Sequence, residues 1–339
     1  MSIKKGIVLM NLGSPNSPTT KDVRTYLNEF LMDEKVIDIP YLLRFLLVRG
    51  IIAPFRAPKS AAAYREVWTE NGSPLVVLTK QLQTALQALI DEPVAIAMRY
   101  GDPSPEAAFE ELLAKNKDLE EVVLVPLYPH YAMSSYETAV EYAQKVHKMQ
   151  NYAFKLSIIK PFYNQADYIK AFSSSIEPYL EQDFDHILFS FHGIPERHIR
   201  KGDMTGQHCL TINNCCTVDS PAHEKCYRHQ CFKTTELAAK ALNLPPSKYS
   251  ISFQSRLGRD PWLTPFTDFR LKEMPNEGIK KLLIVCPAFV SDCLETLEEI
   301  AMEGKEIFLQ AGGTSFTVIP CMNAQPAWVK TLEKWVTTA

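Results

Sequence analysis

Across its 339 residues the chain has no Gly-x-Gly-x-x-Gly after a strand-like run and no phosphate loop ending in Gly-Lys-Ser/Thr. A nucleotide enzyme is therefore disfavoured. Basic excess is missing too: 36 Lys and Arg stand against 39 Asp and Glu, for a net charge of −3. Nucleic-acid binding, which needs a basic face, finds no support. The longest apolar stretch, 41–55, is broken by Arg44 and Arg49 and falls short of the ~20 apolar residues that cross a bilayer. The opening Met1-Ser2-Ile3-Lys4-Lys5 runs straight into a strand-like segment, with neither the apolar core nor the cleavage site of a signal peptide. The expected compartment is the cytoplasm, where thiols stay reduced. Of the eight cysteines, the five clustered ones then read as metal or redox chemistry rather than disulfides, and Cys286 and Cys321, apart from them, as small buried residues. None of them forms the Cys-x2-Cys pair of common zinc folds.

Short apolar runs alternating with helical patterns fill the length. Strands are expected at 5–12, 94–99, 121–127, 154–160, 186–191, 249–254, 281–286 and 317–320. Most are continuously apolar, as in strands covered on both faces. Helices are expected at 104–115, 135–149, 165–182 and 294–308. This alternation predicts an α/β fold with parallel sheets and right-handed crossovers. Two doubly wound halves, 1–160 and 161–339, with a cleft between them, suit the length. In such sheets ligands sit beyond the carboxyl ends of the strands.

At one such end, Ser190-Phe191-His192-Gly193 places a histidine where a neutral imidazole can take a proton or bind a divalent metal. A hydrogen-bonded turn histidine is the alternative. At another, Asp292 and Glu295 have capping-box spacing, which alone would explain them. Glu299, however, lies one turn beyond Glu295, and like charges four apart repel, so the row also suits a proton or cation path. Downstream of His192 come Cys209, Cys215, Cys216, Cys226 and Cys231 in an insertion at about 204–231, with His208, His223 and His229 nearby. Four thiolates suit zinc or an iron–sulfur cluster, and the spacing leans toward the latter. The 41–56 segment, apolar and then basic with Arg56, Lys59 and Tyr64 after it, reads either as an amphipathic helix on a core or as a lip for a large planar ligand with acidic tails. The same lip could touch a membrane surface.

These segments resemble those of ferrochelatases. The matching residues are Leu9-Met10-Asn11-Leu12-Gly13-Ser14-Pro15, Met98-Arg99-Tyr100, Tyr128-Pro129-His130-Tyr131, Ser190 to Pro195, Lys201-Gly202-Asp203, Phe253 to Gly258, Pro261-Trp262-Leu263 and Ser291 to Leu297. The resemblance implies two Rossmann-like domains, porphyrin and ferrous iron as substrates, and insertion of the iron with release of two protons late in heme synthesis. It implies that His192 and Glu295 face the metal and the pyrrole nitrogens, with Glu299 and Asp292 continuing the acidic path. It places Leu12, Arg56, Lys59, Tyr64, Ser73, Tyr128 and Trp262 against the porphyrin. Leu12 favours protoporphyrin over coproporphyrin, since some members that use the latter carry Tyr there. Some members carry His at the position of Cys293. The inserted thiols resemble an internal [2Fe–2S] site, for which Cys209, Cys216, Cys226 and Cys231 are the expected ligands and Cys215 the alternative. A non-catalytic heme or iron–sulfur binding protein on the same scaffold is the competing reading, as is a cobalt or nickel chelatase. A monomer or homodimer is expected.

Overall fold

The computed structural model describes residues 4–258 and 260–338. Eight strands among them form two four-stranded sheets, parallel throughout. The first contains β1 (Lys5–Gly13), β2 (Val94–Tyr100), β3 (Glu121–Pro126) and β4 (Lys155–Ile158) in the order β2-β1-β3-β4. The second contains β5 (His186–His192), β6 (Tyr249–Gln254), β7 (Lys281–Val285) and β8 (Ser315–Val318) in the order β6-β5-β7-β8. Every strand falls on an expected apolar run. The central strands β1 and β5 are buried along nearly their whole length, which is why their residues do not alternate.

The two sheets repeat one another in detail. Ile7 pairs with Val123 and Ile187 with Leu283. The turn after β4 donates Ile159 N–H to Leu124 O, and the turn after β8 donates Ile319 N–H to Ile284 O. Counting along the central strands, Met10 corresponds to Ser190, Leu12 to His192 and Gly13 to Gly193. Both glycines lie where the chain passes a neighbouring strand too closely for a side chain. A Cβ on Gly13, whose φ is +104°, would stand 1.8 Å from Tyr100 O. One on Gly193 would stand 2.9 Å from Gln254 O.

The chain divides into two compact units. The first runs to Leu127 and includes Met133–Lys160 and the chain from Leu332; the second comprises Tyr128–Ala132 and Pro161–Thr331. Relative to halves at 1–160 and 161–339, the chain from Leu332 belongs with the first unit and the short Tyr128–Ala132 segment with the second. That segment's own bonds explain its place. His130 Nε2 pairs with Thr234 Oγ1 at 2.9 Å and Tyr131 N–H donates to Gln230 Oε1 at 2.6 Å, both on the helix Tyr227–Ala241.

Two helices differ from regular α expectation. The stretch expected at 135–149 opens with a π-turn, Met133–Glu137, before Thr138–Met149. The one expected at 294–308 is a π-helix over Glu295–Gly304 followed by Lys305–Gln310. These π segments follow β3 and β7, again at matching places.

The apolar 41–56 segment is built inside out. It forms the helix Tyr41–Leu47, a π-turn Val48–Ile52 and the helix Ala53–Val67. Arg44 is the buried residue of the first helix, donating Nη1 to Ile37 O and Ile39 O at 3.0 and 3.1 Å. Tyr41, Leu42, Leu43, Leu46, Ile51 and Phe55 face outward, Phe55 with 80% of its surface exposed. An apolar patch of this kind marks a contact surface. No helix among the described residues is long and apolar enough to cross a membrane.

Gly13→Ala is expected to lower unfolding free energy by about 2–4 kcal/mol, from left-handed strain plus steric clash. Gly72→Ala, also at positive φ but facing open space, should cost only about 1–2 kcal/mol. Urea midpoints of the two variants test the ordering, which equal losses would contradict.

Candidate active site

The site sits at the carboxyl ends of β5, β6 and β7. A chain of buried hydroxyls fixes the floor. Ser190 donates to Gln254 Oε1 at 2.8 Å, so the Thr267 hydroxyl must donate to Ser190 and Ser252 in turn to Thr267, each at 2.8 Å. Gln254 then donates Nε2–H to the Glu295 carbonyl at 3.1 Å. One amide side chain thereby ties strand ends to the first turn of the π-helix.

His192 is the last residue of β5 and half-buried. Its Nδ1 lies 2.6 Å from the carbonyl oxygen of Gly193. A carbonyl only accepts, so Nδ1 carries the proton and Nε2 keeps its lone pair. The backbone around it is pinned: Gly193 N–H donates to Gln254 O at 2.6 Å, and the Tyr227 hydroxyl donates to the His192 carbonyl at 2.8 Å. The imidazole packs edge-on against Phe289, ring centroids 6.2 Å apart.

Glu295 and Glu299 lie on the π-helix. The capping-box pairing of Asp292 with Glu295 is not used. Asp292 instead accepts from the Thr296 hydroxyl at 3.0 Å, the Cys321 N–H at 3.2 Å and the Asn323 amide at 2.7 Å. Its oxygens are spent on holding the helix start. That leaves the Glu295 carboxylate to the Cys293 thiol, which hydrogen-bonds to it; burial first, then Glu295, keeps that thiol protonated. Glu299 is held by Ser255, whose N–H donates at 2.8 Å and whose hydroxyl binds the other carboxylate oxygen. Burial raises the Glu299 pKa, Ser255 and His192 oppose the rise, and Glu295 adds to it. Glu299 therefore feels the charge of both His192 and Glu295. Ser255 and Cys293 had no assigned role from the sequence. Ser255 adopts φ +59°, a conformation no residue-type pattern announces.

The expected porphyrin contacts divide by exposure. Leu12 is the last residue but one of β1 and half-buried, with its N–H on Asn11 Oδ1 at 2.9 Å. Arg56 and Lys59 are exposed on the helix Ala53–Val67, and neither has an ion-pair partner among the described residues. Tyr64, Ser73 and Tyr128 are buried. Trp262 is half-buried, anchored by Nε1–H to Leu257 O at 3.0 Å and bridged to Pro195. His130 is a core residue, and burial pushes its pKa down to about 3.

The cysteine loop hangs on Asp203, whose carboxylate accepts the N–H groups of Thr205, His208 and Cys209. Cys226 contacts Cys209 and Cys216, and Cys216 contacts Cys215. Cys231 is fully buried in the helix Tyr227–Ala241, where its thiol meets Tyr227 and feels the charge of Cys216 and Arg228. Direct thiol contacts link Cys209, Cys215, Cys216 and Cys226, while Cys231 makes its contact with Tyr227 instead. The reason is helical: Cys231 lies on the inner face of Tyr227–Ala241, past the cap at Cys226. Among the described residues, no three His, Cys, Asp or Glu are arranged to hold a metal ion; the sulfurs touch one another instead.

Comparison with known proteins bears on this arrangement. The family described as Ferrochelatase matches residues 4–339. A ferrochelatase of Opitutus terrae is 47% identical over 337 residues, covering 98% of this chain and 97% of that one. A ferrochelatase of Ectopseudomonas mendocina is 49% identical over 329 residues, covering 96% of each. Among solved structures, the SirB protein of Bacillus subtilis with Fe3+ superposes with a TM-score of 0.55 at 13% identity, covering 98% of this chain and 94% of that one; it shares the fold. With this match over nearly its whole length, the chain belongs to the ferrochelatase family and is a porphyrin metal chelatase, a lyase acting on a porphyrin and ferrous iron.

Proposed function

We propose that the porphyrin is protoporphyrin IX and that His192 is the base taking a pyrrole proton as Fe2+ enters. The observation that carries this is the tautomer: with Nδ1–H committed to Gly193 O, Nε2 offers its lone pair to a proton. Glu295, with the Cys293 thiol on its carboxylate, is the acidic partner. Glu299, held by Ser255, takes protons onward. Asp292 is assigned to anchoring the π-helix, because its oxygens already serve Thr296, Cys321 and Asn323. Leu12 supports protoporphyrin, and the unpaired cations Arg56 and Lys59 suit its propionates. The exposed apolar residues of 41–56 support peripheral contact with a membrane surface from the cytoplasmic side.

The loop chemistry fits a [2Fe–2S] group. Four thiols converge, and Leu210 N–H and His229 N–H point at the sulfurs of Cys215 and Cys226, at 3.4 and 3.5 Å. Such donors suit thiolate ligands. Cys209, Cys215, Cys216 and Cys226 would hold the cluster; when bound it cross-links the loop and can accept one electron. Iron insertion itself transfers no electron.

His192→Ala is expected to cut iron insertion by about 10²–10⁴-fold while porphyrin fluorescence titration still reports binding. Near-normal turnover would remove His192 from the reaction, and faster turnover with coproporphyrin than with protoporphyrin would overturn the choice of substrate.

Because the Glu299 pKa is raised, its ionisation opposes folding: the folded state holds the proton more tightly, and stability falls as pH rises through the folded pKa. Glu299→Gln should therefore raise Tm near neutral pH, with little gain near pH 4, while slowing turnover. A gain equal at both pH values would contradict the raised pKa.

The protein purified without oxygen should show visible charge-transfer bands. Cys226→Ser and Cys215→Ser should abolish them and Cys231→Ser should keep them. A colourless, zinc-loaded protein would refute the cluster.

A further inference from the structure

Arg228 is a half-buried cation with no ion pair among the described residues. Its Nη1 donates to Cys216 Sγ at 3.2 Å and to Cys215 Sγ at 3.8 Å, and its guanidinium rests 4.9 Å from the centroid of the Phe232 ring. Among the described residues it has no carboxylate partner. Neutral thiols are weak acceptors, so a guanidinium facing them is poorly compensated unless the sulfurs carry charge.

The rest of the loop is arranged in the same sense. His208 and His223 each present Nε2 to the Cys215 carbonyl, at 2.7 and 2.8 Å, and His229 presents Nδ1 to the Cys216 carbonyl at 2.7 Å. Carbonyls only accept, so all three imidazoles donate there, and both carbonyls are occupied. His223 and His229 are stacked at 3.6 Å, which fixes the two rings as a unit. The nearby acid is Asp203, beside Cys209, and its oxygens are already taken by Thr205, His208 and Cys209. What faces the sulfurs of Cys215 and Cys216 is a set of donors and one cation.

We infer that Arg228 is the charge-compensating residue of this loop, a positioning residue that holds Cys215 and Cys216 as thiolate ligands and raises the reduction potential of the cluster. Adding an electron to a thiolate-bound cluster makes an anionic centre more so, and a cation against two of its ligands favours the reduced form. Phe232 keeps the guanidinium in place through its ring face. This rests on the [2Fe–2S] reading above.

The test compares wild type with Arg228→Gln, Arg228→Met and Arg228→Lys, all purified without oxygen. Iron and sulfide per chain, loss of both to a chelator, and the midpoint potential in a dye-mediated titration are measured. The two neutral variants, either of which suffices if the other fails to fold, should have lower potentials and lose iron several-fold faster. Arg228→Lys should recover most of both. Neutral variants that match wild type with the cluster present would overturn the role of Arg228 alone. So would a Lys variant shifted as far as the neutral ones. A wild type without iron and sulfide would overturn the cluster reading beneath it.

Discussion

The hydrogen bond from Gly193 N–H to Gln254 O, 2.6 Å long, is the constraint from which the reacting groups take their positions. It holds the end of β5 against the end of β6 one residue past regular pairing, which only a residue without a side chain permits there. On one side of that bond stands His192, its ring turned back onto the Gly193 carbonyl. On the other stands Ser255, forced to φ +59° and so able to offer both N–H and hydroxyl to Glu299. A methyl group at 193 would meet the carbonyls of Gln254 and Ser255 together and disturb base and acid at once.

The π-winding from Glu295 to Gly304 has a related effect. Hydrogen bonds that reach one residue further than in an α-helix widen the turn, and such segments concentrate at functional sites. Here the wide turn lets Asp292, Cys293, Thr296 and Asn323 settle the helix start among themselves. Glu295 is then free of the capping duty that its spacing from Asp292 suggests, and its partner is a buried thiol.

Much of this was legible beforehand because it depends on apolar patterning. Strands covered on both faces need long apolar runs, so β1, β3, β5 and β7 announce themselves, with His192 closing β5 and Glu295 opening the helix after β7. Other features depend on three-dimensional choices among equivalent residues. That Cys231 meets Tyr227 rather than the other thiols follows from the cap at Cys226 and the helical phase that turns Cys231 inward. Arg44 and its leucine neighbours inverted the usual rule, because buried carbonyls at Ile37 and Ile39 needed a donor more than the helix needed an apolar face. Ser255 was invisible for a different reason: its role is a backbone angle.

The likeness of the two sheets also poses a problem of assembly. Strands of matching register, in matching order, can compete for one another's places while the chain folds. The hydroxyl relay separates them. Ser190 occupies in β5 the place that Met10 holds in β1, and it is fully buried with Gln254 and Thr267 as partners. A β5 paired into the wrong sheet would bury that hydroxyl among apolar neighbours, at about 1–3 kcal/mol, and Ser252 would add as much again. The same polar thread that ties Gln254 to the π-helix thus acts as a lock on strand identity, rejecting the sheet that cannot answer it.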